Sequence, residues 1–194
     1  MNKVIVRYII LLLFIFAVQS IYGQRTIRMN LERMVSDAGI IVRGTVSHVE
    51  TGIDQQTKLH ATFVTIEVSE NFYGAPERQI TLKMLGGKST TKTVKLAEMP
   101  TFTVGEEIIS LFFAPSKYGF TSPVGMAQGK FIIQSDPVSQ KSVVRNGVNN
   151  TQLFSGVKNT TATAKIAATN TSGGPIEASD FSQTIRSLVT ILKK

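Results

Sequence analysis

The sequence predicts a mainly β fold with one short helix at its N-terminal end and one helix at its C-terminal end. Between Met29 and Ser135, apolar segments rich in β-branched residues recur every 8 to 12 residues or so, with Gly or Pro between them. The stretch before the first of these segments has helical spacing, and residues 178–194 return to helical periodicity. A chain of 194 residues is long enough for one ordinary domain with appendages.

Residues 1–23 have the pattern of a secretory signal peptide. Lys3 and Arg7 precede an apolar run at 8–18, and a short stretch of polar and small residues ends at Gly23. The run is shorter than the roughly 20 residues that a membrane-spanning helix needs. We therefore expect cleavage after Gly23, with an uncleaved anchor as the alternative.

The cysteine count bears on the compartment. The chain has no Cys, so neither lipid attachment at a cysteine nor a disulfide is available to it, and an apolar core must hold the fold. Secreted eukaryotic domains of this size usually carry disulfides, which favours export in a bacterium, either to the periplasm or out of the cell. The net charge of +8 makes the chain basic without being extreme.

The first elements can be placed from local signals. Asn30 is an N-cap candidate, and Leu31, Met34 and Val35 follow on one face of a short helix. The segment "GIIVRGTVSHVE" then alternates like a strand, and Gly44 inside it indicates a bend or bulge.

The remaining strands favour a small antiparallel Greek-key barrel of the OB-like type for residues 29–135, and a sandwich is compatible with the same pattern. Further strands are expected in "ATFVTIEVSENFYG", "RQITLKML", "TKTVKL", "EEIISLFFA", "YGFTSPV" and "GKFIIQS".

The last two segments differ in composition. Residues 136–177 are rich in Asn, Thr and Ser and poor in large apolar residues, which predicts a flexible loop or excursion. Within it, Asn146-Gly147 is a hairpin signal after "SVVR". Residues 178–194 place Phe181, Ile185 and Leu188 at helical spacing, so we expect an amphipathic helix that packs on the barrel.

The adjacent acids Glu106 and Glu107 are the most obvious candidates for catalysis. Paired carboxylates perform acid-base chemistry only when they face one cleft. Neighbouring residues of a strand point to opposite faces, so these two mark the polar start of a strand and not a catalytic pair.

The order of several short motifs resembles that of an uncharacterised family of small secreted bacterial β-barrel (OB-like) domains. The shared motifs are an "ivrGkV"-like strand, a Gly-Gly turn, Pro-x-Phe, Gly-Glu and Gly-Lys-Phe, and they cover Leu31 to Ile133. The resemblance implies the fold and no reaction, because its positions suit turns and cores. The matching positions are Gly44, Gly74, Gly86, Gly87, Pro100, Phe102, Gly105, Glu106, Gly129, Lys130 and Phe131.

Motifs for catalysis or metal binding are weak. His48 and His60 are the only histidines, and neither belongs to a short-spaced ligand motif. No Gly-x-Ser-x-Gly motif occurs, so a hydrolase would have to use one of these two histidines. We expect no enzyme, no cofactor and no metal, with such a hydrolase as the remaining alternative.

The strongest binding signal is a lysine cluster around Gly86-Gly87, formed by Lys83, Lys88, Lys92 and Lys95. Such a cluster is typical of anion binding, although lysines also protect the edges of sheets and the loop lacks aromatic residues for stacking on bases. The sequence therefore predicts an exported, non-enzymatic module that binds a protein or glycan partner. The alternative is a binder of an anionic polymer (nucleic acid, acidic glycan or lipid headgroups) that uses the four lysines.

Overall fold

The computed structural model describes residues 27–88, 93–158, 160–170 and 172–193. The predicted signal segment and Lys92 lie outside these residues. Within them the fold is mainly β, with ten strands and three α-helices, and no helix there is long and apolar enough to cross a membrane. The helices are α1 (Leu31–Asp37), α2 (Thr160–Thr169) and α3 (Ala178–Leu192). The strands are β1 (Ile40–Ile53), β2 (His60–Tyr73), β3 (Gln79–Leu85), β4 (Gly87–Lys88), β5 (Thr93–Val94), β6 (Glu107–Phe112), β7 (Phe120–Thr121), β8 (Lys130–Ser135), β9 (Ser142–Asn146) and β10 (Ile176–Glu177).

Eight strands form one mixed sheet in the order β10-β9-β8-β6-β1-β2-β3-β7, and β4 pairs with β5 in a separate small sheet. Neighbours in the large sheet are antiparallel except β3 and β7, which are parallel. The order has two ends, so the sheet is not a closed barrel, and the parallel pair β3–β7 departs from the purely antiparallel arrangement that the sequence predicts. Strand β6 pairs with β1 along one edge and, through Ile108–Ser110, with β8 along the other. The second edge is therefore not available to close the sheet into a barrel.

The end of β6 makes a second set of backbone contacts beyond its pairing with β8. Phe113 donates its N–H to Ser122 O at 3.1 Å, and Val124 donates to Leu111 O at 2.8 Å. Because Phe120–Thr121 of the same segment pairs with β3, the chain at 120–124 lies between β3 and the end of β6.

The sheet separates two apolar cores. Along β6, Ile109 and Leu111 point to one core, whereas Ile108 and Phe112 point to the other, as the two-residue period of a strand requires. The first core lies under the helices and includes Leu31, Met34, Val35, Ile41, Ile109, Leu111, Phe131, Val144, Ile166, Ile176, Phe181, Ile185 and Leu188. The second core consists of Ile40, Val42, Val46, Val64, Ile66, Ile80, Leu82, Met84, Phe102, Ile108 and Phe112.

The long hairpin of β1 and β2 bends at Gly44. The pairing register shifts between Arg43 and Gly44, which is the mark of a bulge. A Cβ atom on Gly44 would lie 2.2 Å from Glu67 O, so no other residue permits this approach of the two strands. On the N-terminal side of this bulge, Ile41 points to the first core and Ile40 and Val42 point to the second.

Helices α1 and α3 pack on the same face. Asn30 caps α1 by accepting the Arg33 N–H at 2.8 Å, and the Lys193 ammonium donates to the carbonyls of Ser36 and Ala38 at the other end of α1. In α3, the centroid of the Phe181 ring lies 4.6 Å from the centroid of the Phe131 ring on β8. The C-terminal helix is therefore joined to both the sheet and the N-terminal helix.

Residues 136–177 contain β9, α2 and β10, which differs from the flexible loop expected from their composition. Buried side-chain amides add to the apolar contacts that Val144, Ile166 and Ile176 make with the first core. Asn150 is fully buried, accepts the Asn146 N–H at 3.0 Å, and donates to Val144 O and Gly174 O at 2.9 and 2.7 Å. A buried Asn with its partners in place can order a segment that has few large apolar residues.

Replacing Phe181 with Ala should lower the free energy of unfolding by about 3 to 5 kcal/mol, because it empties a fully buried aromatic site. Ile191→Ala in the same helix is the matched control, since Ile191 is 45% exposed, and it should cost less than about 1 kcal/mol. Urea unfolding followed by circular dichroism measures both. Equal losses for the two variants would contradict the packing of α3 on the sheet through Phe181.

Candidate ligand-binding cleft

An open cleft lies where the β4–β5 hairpin and the segment 95–102 face the ends of β1, β2 and β3. Its volume is about 540 Å³. The residues that line it are Val49, Thr51, Thr62, Met84, Leu85, Gly86, Gly87, Lys88, Thr93, Val94, Lys95, Leu96, Met99, Pro100, Thr101 and Phe102.

The lining combines an apolar interior with a basic mouth. Met84 and Phe102 belong to the second core, and Val49 and Met99 pack against it. Lys88 and Lys95 are exposed, and no Asp or Glu is among the residues lining the cleft. The cleft is thus a continuation of the second core that opens to solvent beside two positive charges.

The Gly86-Gly87 turn places the hairpin over the sheet. Gly86 has φ +94°, which favours glycine, and a Cβ atom there would lie 2.9 Å from both the Leu96 side chain and Val94 O. Its N–H donates to His60 O and its carbonyl accepts the Thr62 hydroxyl, each at 2.9 Å. Hydrogen bonds therefore join the turn to β2, and β5 lies in close contact with Gly86.

The other wall of the cleft is held by a buried lysine. Lys130, at the start of β8, donates to Glu106 Oε2 at 2.5 Å and to Thr101 O at 2.6 Å, and its ammonium lies 4.6 Å from the centre of the Phe102 ring. The Lys130 side chain is only 5% exposed and that of Glu106 only 16%. These contacts join the segment that carries Thr101 and Phe102 to the sheet.

Glu106 and Glu107 have separate structural partners on opposite faces. Glu107 Oε1 accepts from Arg43 Nη2 at 2.7 Å, while Glu106 pairs with Lys130. The expectation that the two do not form a facing pair is therefore met. The description of Glu106 as a polar strand start was incomplete, because its carboxylate is mostly buried in an ion pair.

Lys83 lies outside the cleft, in an ion pair with Asp54. Its ammonium donates to Asp54 Oδ1 at 2.8 Å and lies 4.6 Å from the centre of the Phe120 ring. Asp54 Oδ2 also accepts the Thr57 N–H and hydroxyl, at 2.8 and 2.6 Å. The Lys83 hydrogen bond, followed by those from Thr57, lowers the pKa of Asp54 from 3.8 to about 2.

The four predicted lysines are therefore divided by the structure. Lys88 and Lys95 both line the cleft, Lys83 is paired with Asp54, and Lys92 lies outside the described residues. Sequence reasoning missed the cleft itself, since its lining comes from four separate stretches of chain. It also missed the role of Lys130, for which a lysine opening the apolar run "FII" after Gly129 was an available signal.

Neither histidine is among the residues that line the cleft, although the His60 carbonyl accepts the N–H of the lining residue Gly86. His48 is exposed on β1, with Nε2 3.9 Å from the Glu50 carboxylate, and His60 begins β2. In the parts of the chain that the structure describes, no group of three or more His, Cys, Asp or Glu residues is placed to hold a metal ion.

Comparison with known proteins finds no relative of this chain. No protein-family model, no curated protein and no solved structure matches the chain. The contacts of the cleft therefore carry the functional argument.

The ion pair of Asp54 predicts a specific pH dependence of stability. The carboxyl titrates near 3.9 when the chain is unfolded and at about 2 when it is folded. Its stabilising contribution is therefore complete above about pH 4 and is lost as the pH falls towards 2. The difference in unfolding free energy between the natural protein and Asp54→Asn, measured by urea unfolding from pH 2 to 6, should shrink across this window.

Lys83→Met provides the control for that measurement. In its background the Asp54→Asn difference should vary much less with pH, because the largest cause of the lowered pKa is gone. A difference that stays constant with pH in the natural background would contradict the assignment.

Proposed function

We propose that the protein is an exported, non-enzymatic binding module whose ligand site is the cleft. The observation that carries this proposal is the cleft itself, an apolar space of about 540 Å³ that opens beside Lys88 and Lys95. Ligand sites in proteins usually measure some 300 to 1,000 Å³ and combine apolar walls with a few polar groups. The export part of the proposal rests on the signal-like pattern of residues 1–23.

The proposal extends to the fold. We infer that the strands around the second core form a partly open, OB-like barrel, in line with the resemblance to small secreted bacterial domains. The backbone contacts of 120–124 with both β3 and the end of β6 support this, because they bring the two sides of the second core together. OB-like barrels bind ligands on a sheet face and in the adjoining loops, and the cleft lies between such a face and such a loop.

Binding of an anionic polymer is the second candidate. Lys88 and Lys95 favour it, because both are exposed on the same hairpin and loop. Lys83 counts against it, since its charge is balanced by Asp54 at 2.8 Å. Binding of an anionic polymer through lysines should weaken steeply as the salt concentration rises. Binding of a ligand by the apolar interior of the cleft should not weaken in this way.

A cleft-blocking variant tests the proposed function. Thr51 is exposed and lines the cleft, so Thr51→Trp should occupy the space without altering the core. Thr45→Trp is the matched control, as Thr45 is an exposed residue of the same strand away from the cleft. The full chain with a C-terminal tag is expressed in bacterial cells that process its N-terminal segment, and it is recovered from the envelope and medium at low and high salt.

We expect a discrete protein, glycan or small molecule to be retained at high salt by the natural protein and by Thr45→Trp, and to be lost from Thr51→Trp. Mass spectrometry identifies the retained species. Equal retention by all three proteins would contradict the cleft as the binding site. Polyanions that disappear at high salt would transfer support to the second candidate.

A further inference from the structure

We propose that the ligand of the cleft is an anionic amphiphile, a molecule with one apolar chain and a carboxylate or phosphate head. This inference rests on the proposed function and names the class of its ligand. It follows from the way in which the apolar and charged lining residues are distributed.

The interior of the cleft matches a chain and not a polar ligand. Val49, Met84 and Met99 are continuous with the second core, so a group that enters the cleft is removed from water against thioether and aliphatic surface. Methionine side chains adapt to irregular apolar shapes. The polar groups in the lining are largely threonine hydroxyls, and that of Thr62 already donates to Gly86 O.

The mouth of the cleft matches a negative head. Among the described residues, Lys88 and Lys95 are the charged members of the lining, and both are exposed, so their ammonium groups can reach a head group at the opening. Glu50 on β1 and Glu98 in the segment 95–102 are each adjacent in sequence to a lining residue, and neither is itself part of the lining. A carboxylate or phosphate at the mouth therefore meets two positive charges and no lining carboxylate to repel it.

A flexible polyanion would need neither the apolar surface of the interior nor its adaptable methionine side chains. Its charges would be met by exposed lysines, and aromatic stacking, which serves single-stranded nucleic acid, requires exposed rings. The one aromatic residue of the lining, Phe102, is buried in the second core and stacks on Phe112 with 6.2 Å between ring centroids. The cleft is thus better matched to an acyl chain than to a nucleobase.

Calorimetric titration of the processed protein with single-chain probes tests the inference. The probes are dodecanoate, dodecyl phosphate, the uncharged dodecanol, and acetate as a head without a chain. Both charged chain probes should bind, dodecanol should bind about tenfold more weakly, and acetate should show no binding. Thr51→Trp should abolish binding of every chain probe, and Thr45→Trp should not.

The double variant Lys88→Gln/Lys95→Gln separates the role of the head from that of the chain. It should weaken dodecanoate binding about tenfold and leave dodecanol unchanged. Lys117→Gln/Lys158→Gln is the matched control, because both lysines are exposed and lie outside the cleft, and it should change neither affinity.

Two outcomes would overturn the inference. Dodecanol binding as tightly as dodecanoate would remove the role of the charge, and the absence of binding by both charged chain probes would remove the ligand class. The second outcome leaves the proposed function standing if Thr51→Trp still loses a species retained by the natural protein. The dodecanoate and dodecyl phosphate titrations also show which head the two lysines prefer.

Discussion

The buried ammonium group of Lys130 is the constraint on which the cleft depends. Moving a lysine out of water costs several kcal/mol unless charge and hydrogen bonds compensate. Here Glu106, the carbonyl of Thr101 and the Phe102 ring supply that compensation, and all three belong to the segment that precedes β6. Lys130 therefore stabilises the fold only when this segment lies against the sheet, which is the position that forms a wall of the cleft.

The two faces of the sheet carry different structures: helices cover one face, and the cleft opens on the other. On the helical side, α1 and α3 cover the sheet and are joined to each other through Lys193. On the other side, the second core is covered by the bent β1–β2 hairpin and by Phe102, and its edge is left open as the cleft. A binding site can thus remain accessible without cost to the core that secures the helices.

Local patterns in the sequence predict the elements well and their assembly poorly. The Asn30 cap, the bend at Gly44 and the stripe of Phe181, Ile185 and Leu188 each depend on neighbouring residues, and the structure shows all of them. Three features depend on contacts between distant segments: the pairing of β6 with β8, the ordering of 136–177 by Asn150, and the cleft. Composition suggested a loop for 136–177 because it counts few large apolar residues, and it shows neither that Val144, Ile166 and Ile176 are buried nor that amide hydrogen bonds join the segment.

Hydrogen exchange in Lys130→Met tests most directly whether this lysine holds the cleft wall. The Thr103 N–H donates to Glu106 Oε2 at 3.3 Å, and the Gly105 N–H donates to Val46 O at 2.8 Å. If Lys130 holds the segment, amides at 99–105 should exchange faster in the variant under conditions where those of α3 keep their protection. Unchanged exchange at 99–105 in a folded Lys130→Met protein would contradict the claim, because the wall would then be held without the ion pair.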